Sequence, residues 1–133
     1  MTKTILFLCP HGAAKRVLAA AYFQRLADER GLPFKALSAG TDPDPVMNAA
    51  VIDQLRGEGL PVPGQAPRLV TDADLHSAVH TISLGCDLTG KLPAGVEALD
   101  WSDVPPVSAD LPAARRAILA QVEQLIADLE ASH

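Results

Sequence analysis

The sequence predicts one α/β domain built on a mainly parallel sheet, and three observations carry this. Short apolar runs alternate with amphipathic stretches in the order β-α-β-α-α-β-β-α. The first run, "TKTILFLC" (Thr2 to Cys9), is nearly continuous in apolar residues, as a strand buried on both faces must be. The 133 residues fit a single domain, and a hydrophobic content of 48% lets a core form without staples.

Each element has a local reason. From Lys15 to about Arg30 the period turns helical: Leu18, Tyr22 and Leu26 share a face, with Ala19, Phe23 and Ala27 beside them. Gly31 suits the C-cap and Pro33 prevents continuation. "FKALSAG" (Phe34 to Gly40) reads as the second strand. Asp44 before Pro45 starts a helix that carries Met47, Val51, Ile52 and Leu55 and ends near Gly57 or Gly59. Pro61, Pro63, Gly64 and Pro67 make a loop. Thr71 with Asp74 resembles a capping box, with Asp in place of Glu, before a short helix through Leu75. "AVHTISLGC" (Ala78 to Cys86) is the third strand and "VEALDW" (Val96 to Trp101) the fourth. The last helix starts near Asp110 or Pro112, with Ile118, Val122, Leu125 and Leu129 as its apolar stripe.

Composition narrows the function. A formal charge of −5 argues against nucleic acid or an anionic membrane as partner, so any anion site is a local feature of the fold. Two cysteines are too few for a disulfide framework. The run Ile5-Leu6-Phe7-Leu8 is too short for a secretory segment, and no stretch is long enough to span a bilayer. A cytoplasmic protein with reduced thiols is expected. His76 and His80 have the i, i+4 spacing of a zinc pair. Strand signals begin near His80 and no third ligand follows, so no metal site is expected.

In a parallel sheet, ligands gather at the carboxyl ends of the strands. Cys9 ends the first strand, Cys86 the third, and Trp101 to Asp103 the fourth, which brings three places to one rim. After Cys9 come Pro10, His11, Gly12, Ala13, Ala14, Lys15 and Arg16, and then the helix. A loop entering a helix N-terminus offers free amides and a positive dipole end to an anion, and its small residues let the backbone close around one. His11, Lys15 and Arg16 would favour the thiolate of Cys9. Read from these residues alone, Cys9 is either a buried, inert strand-end thiol or a nucleophile facing an anion. Lys15 and Arg16 are either anion ligands or a solvated helix start.

"ILFLCPHGAAKR" resembles the low-molecular-weight protein tyrosine phosphatase superfamily, and most closely its arsenate reductase branch. That family's loop is a cysteine, five residues, an arginine and a hydroxyl residue. "SAG" (Ser38 to Gly40), "APRLVTDADL", "TISLGC" and "DWSDVPPV" resemble later family segments, in register from about Thr4 to Val107. The resemblance implies a three-layer α/β/α fold with a central four-stranded, mainly parallel sheet. It implies Cys9 as nucleophile and residues 10 to 16 as the oxyanion cradle. Cys86 falls where a resolving cysteine is expected, and "DWSDVPPV" where the general acid is carried.

The departures fall on the chemistry. Lys15 stands at the arginine position, offering a point charge in place of a planar fork. Arg16 comes one residue late, reaching back to the anion or pointing to solvent. The loop's usual asparagine is replaced by Gly12 or His11. Pro105 stands where the acid is expected, leaving Asp103, two residues early, as its substitute and Asp100 as the rival. No further cysteine follows Cys86, so a three-cysteine relay is impossible.

The resemblance therefore implies a thiol-dependent enzyme acting on arsenate, phosphate or a phosphorylated substrate. It needs no cofactor, and Cys86 or an external thiol partner acts as reductant in the reductase version. The alternative is a catalytically impaired oxyanion-binding or regulatory protein, and a weaker third reading is an interaction module. With only 4% aromatic residues, walls for a phosphotyrosine ring are scarce, which favours a small inorganic anion.

Overall fold

A computed structural model of the chain describes residues 3–9, 15–40, 49–60, 69–84, 98–101, 103–105 and 110–132. Its elements are β1 (Lys3–Cys9), α1 (Lys15–Glu29), β2 (Phe34–Gly40), α2 (Ala49–Gly57), α3 (Asp72–Ser77), β3 (Ala78–Ser83), β4 (Ala98–Asp100) and α4 (Leu111–Ser132). This is the order expected from the sequence. The sheet runs β2-β1-β3-β4 and every pairing in it is parallel.

The continuous apolar character of β1 follows from its central place. Ile5 and Phe7 face a large cluster with residues of α1, α2 and α4, while Leu6 and Leu8 pack with Leu75 of α3. All four side chains are fully buried. Helices thus cover both faces, as the three-layer expectation requires.

Several ends are set by local chemistry. Gly31 has φ 66°, and Leu32 N–H reaches back to the Ala27 carbonyl at 2.9 Å, so α1 closes in a Schellman turn. Gly59 (φ 71°) ends α2 the same way, with Leu60 N–H on the Leu55 carbonyl. Thr71 and Asp74 form the reciprocal capping box of α3. Asp110 starts α4, its Oδ1 accepting from Ala113 N–H at 3.0 Å.

Two strand boundaries differ from the sequence expectation. β3 ends at Ser83, where Leu84 N–H bonds the Leu8 carbonyl, and Cys86 lies outside the described residues. Trp101 lies past β4: its N–H bonds the Ser83 carbonyl at 2.7 Å, and the chain then turns, Val104 N–H donating to the Trp101 carbonyl. The expected starts of the second helix at Asp44 and of the fourth strand at Val96, and the proline loop of residues 61–67, lie outside the described residues.

β2 is an edge strand whose outer backbone groups need partners. Gln24 of α1 supplies two: its amide donates to the Phe34 carbonyl at 3.1 Å and accepts from Ala36 N–H at 2.8 Å.

Candidate active site

The order β2-β1-β3-β4 reverses direction at β1: the chain leaves β1 for β2 on one side and later adds β3 on the other. Helices α1 and α3, which lead into β2 and β3, pack on opposite faces. Such a switch point opens a crevice beyond the carboxyl ends of the strands. Cys9 is the last residue of β1, opposite Gly40 of β2. One rung earlier, Leu8 lies opposite Ser83 and Ser83 opposite Asp100. The ends of all four strands therefore form one rim, and the end of β1 stands at its switch point.

Loop residues Pro10, His11, Gly12, Ala13 and Ala14, and Cys86, lie outside the described residues. What the structure describes is the strand that delivers the loop and the helix that receives it. The first turn of α1 holds no acidic residue and carries Lys15 and Arg16. Two cations there oppose the helix dipole, a cost that an anion would relieve.

Neither cation forms a solvated helix start. Arg16 is only 1% exposed, with Nε and Nη2 shut away from water, so it does not point to solvent. Lys15 is half-buried, and its Nζ donates to the Val104 carbonyl at 3.3 Å, across 89 residues of sequence. That bond ties the start of α1 to the turn after β4. Val104 is buried, Asp103 beside it is exposed, and Pro105 is half-buried. Trp101 anchors the other end of the turn, 5% exposed with its ring 5.8 Å from that of Phe7.

The remaining candidates separate clearly. Asp100 is exposed on β4. His76 lies in α3 and His80 in β3, so their spacing does not place them on one helical face. Tyr22 is packed at 1% exposure and its hydroxyl donates to Glu58 Oε2 at 2.5 Å. Arg115 of α4 donates to Glu58 Oε1 from Nε at 2.8 Å and from Nη2, and its guanidinium carbon lies 5.6 Å from the Tyr22 ring centre. Burial, reinforced by the carboxylate, raises Tyr22 to about 12. Burial pushes Glu58 up, but hydrogen bonds from Tyr22 and Arg115 outweigh it and hold the carboxyl below its ordinary value.

Sequence reasoning placed Cys9 at the end of the first strand but missed the bond from Lys15 to a backbone carbonyl, which has no residue signature. It also missed the Tyr22–Glu58–Arg115 cluster, whose members stand far apart in sequence.

The fold has known counterparts. Among solved structures, Bacillus subtilis YfkJ matches with a TM-score of 0.86 and 23% identity over 99% of this chain and 97% of its own. The thioredoxin-dependent arsenate reductase of Corynebacterium glutamicum gives 0.84 and 22%, over 99% of this chain and 64% of its own. An arsenate reductase from Archaeoglobus fulgidus gives 0.75 and 26%, over 92% of this chain and 98% of its own. The comparison with curated protein sequences finds no match. The family model for low molecular weight phosphotyrosine protein phosphatases matches residues 4–98, a span running from β1 to the first residue of β4. The chain belongs to that family.

Proposed function

We propose that the rim binds a tetrahedral oxyanion and that Cys9 attacks it as a thiolate. The observation that carries this is the joint placement of Cys9 at the end of central strand β1 and a buried Arg16 in the first turn of the helix that follows. Backbone amides of residues 10–15, with Lys15 and Arg16, neutralise the anion. Asp103 supplies the proton for the departing oxygen.

Arsenate suits this site better than an aryl phosphate. The chain has three Phe, one Trp and one Tyr, and all five are buried, at 5% exposure or less. None is left to wall a phosphotyrosine ring. In the arsenate version an As–S bond forms as one arsenate oxygen, protonated, leaves as water. A second thiolate, from Cys86 or an external thiol, then attacks the Cys9 sulfur. A disulfide forms, the As–S electron pair passes to arsenic, and arsenic(V) leaves as arsenic(III).

A binding-only reading is favoured by one observation, the commitment of Lys15 to Val104 where the family has its arginine. Repeated turnover of arsenate would dismiss it.

The test is the alkylation rate of Cys9 against pH, with and without arsenate or phosphate, in the Cys86→Ser chain. The expected result is a thiolate that persists well below the ordinary thiol range of about 8.5 and is shielded by oxyanion. An ordinary thiol profile without shielding would overturn the proposal.

A further inference from the structure

We infer that Lys15 is a positioning residue, an ammonium strap that fixes the Trp101–Pro105 turn against the start of α1 and so sets where Asp103 stands over the rim. As a role in catalysis this rests on the reading above; as a structural role it does not.

Among the described residues, three contacts hold the turn. Trp101 N–H bonds the Ser83 carbonyl, which continues the β4 edge, and the Trp101 ring packs on Phe7. Val104 N–H bonds the Trp101 carbonyl at 3.2 Å, which closes the turn on itself. The third bond, Lys15 Nζ to the Val104 carbonyl, joins this turn to the helix that follows the Cys9 loop. Val104 is 2% exposed, so its carbonyl sits where an unmade hydrogen bond is costly. Its partner is charged, which strengthens the bond. Asp103 precedes Val104 directly, so fixing the Val104 carbonyl limits where the Asp103 backbone can stand.

Lysine is suited to this place as arginine is not. An ammonium has three donors on one atom, and one bond to Val104 leaves two for an anion in the loop. A guanidinium that spends its fork on two oxyanion oxygens is held in the plane of that anion. Lys15 can therefore bridge turn and anion together.

The test is amide hydrogen exchange at Val104 in the Lys15→Met chain, without any oxyanion. Loss of a charged hydrogen bond should lower Val104 protection by roughly tenfold or more, since such bonds are worth about 1.5–3 kcal/mol. Protection at Leu84, whose N–H bonds Leu8, should be unchanged, which separates opening of the turn from unfolding. Lys15→Arg, which keeps a charged donor, should restore most of the Val104 protection. Unchanged Val104 protection in a folded Lys15→Met chain would overturn the proposal. Should Lys15→Met not fold, the carbonyl carbon of Val104 in the wild-type chain, labelled with [1-13C]valine, decides. A shift in the hydrogen-bonded range sustains the strap and a free-carbonyl shift removes it. Because no anion is present, failure here leaves the alkylation result of Cys9 untouched, and failure of anion shielding leaves the strap untouched.

Discussion

Arg16 shows how far a residue's identity can be read from sequence. Its charge and its place one step past the family's arginine position are plain in "CPHGAAKR". Its burial, to 1% exposure, is not, because burial is decided by what packs over the first turn of α1. Arg16 is engaged in the folded chain, and removing one side of a buried charged contact leaves the other uncompensated. Arg16→Met should therefore lower Tm. If Arg16 serves the anion, the same change should raise the pH at which Cys9 becomes reactive and abolish shielding by phosphate. Alkylation rates and a thermal melt measure both. Shielding that survives in Arg16→Met would leave the anion to Lys15 and the backbone. Lys15 is the converse case: its partner is a peptide carbonyl, and every residue has one.

Among elements, legibility follows sequence distance. The Thr71–Asp74 capping box spans three residues, and it forms as the sequence indicates. The Tyr22–Glu58–Arg115 cluster joins α1, the end of α2 and α4, and each of its polar contacts spans 36 or 57 residues. No local pattern marks it. It fixes the helices on one face of the sheet, and its removal should be felt as stability. Glu58→Ala leaves the buried Tyr22 hydroxyl without its acceptor and should cost about 1–3 kcal/mol in urea unfolding. The pH dependence follows from the shifts. Glu58 titrates lower when folded, so its contribution is present above the ordinary value of 4.5 and fades as pH falls through the folded value. Tyr22 titrates higher when folded, so its contribution is constant below pH 10 and is lost between 10 and about 12. Two pH units of such shift correspond to about 3 kcal/mol. Tyr22→Phe should remove that alkaline loss, and Glu58→Ala should flatten the acid limb.

For the whole molecule, the order of elements and their parallel alternation were legible because apolar period and capping residues are local signals. Which strand is central was legible in part, from the unbroken apolar run of β1. The end of β3 and the position of Trp101 were not, since they depend on pairing with carbonyls far away in sequence, those of Leu8 and Ser83. Phe7 shows the global coupling. Its ring meets Phe23 of α1 at 5.7 Å and Trp101 of the rim turn at 5.8 Å, so one side chain serves core and site together. Phe7→Ala should cost about 3–5 kcal/mol. That is a large share of the roughly 5–15 kcal/mol that holds such a domain, and a steep fall in Tm should show it.

The central position of β1 also has a consequence in time. Its Lys3 end pairs with Phe34, but its other edge waits for Ala78 and the residues after it. During synthesis β1 gains its second neighbour only when β3 has followed α1, β2, α2 and α3. Until β3 arrives, β1 keeps one edge open, and the switch point at its end cannot exist. The rim beyond the end of β1 is therefore assembled late, once Ala78 and the residues after it have been made.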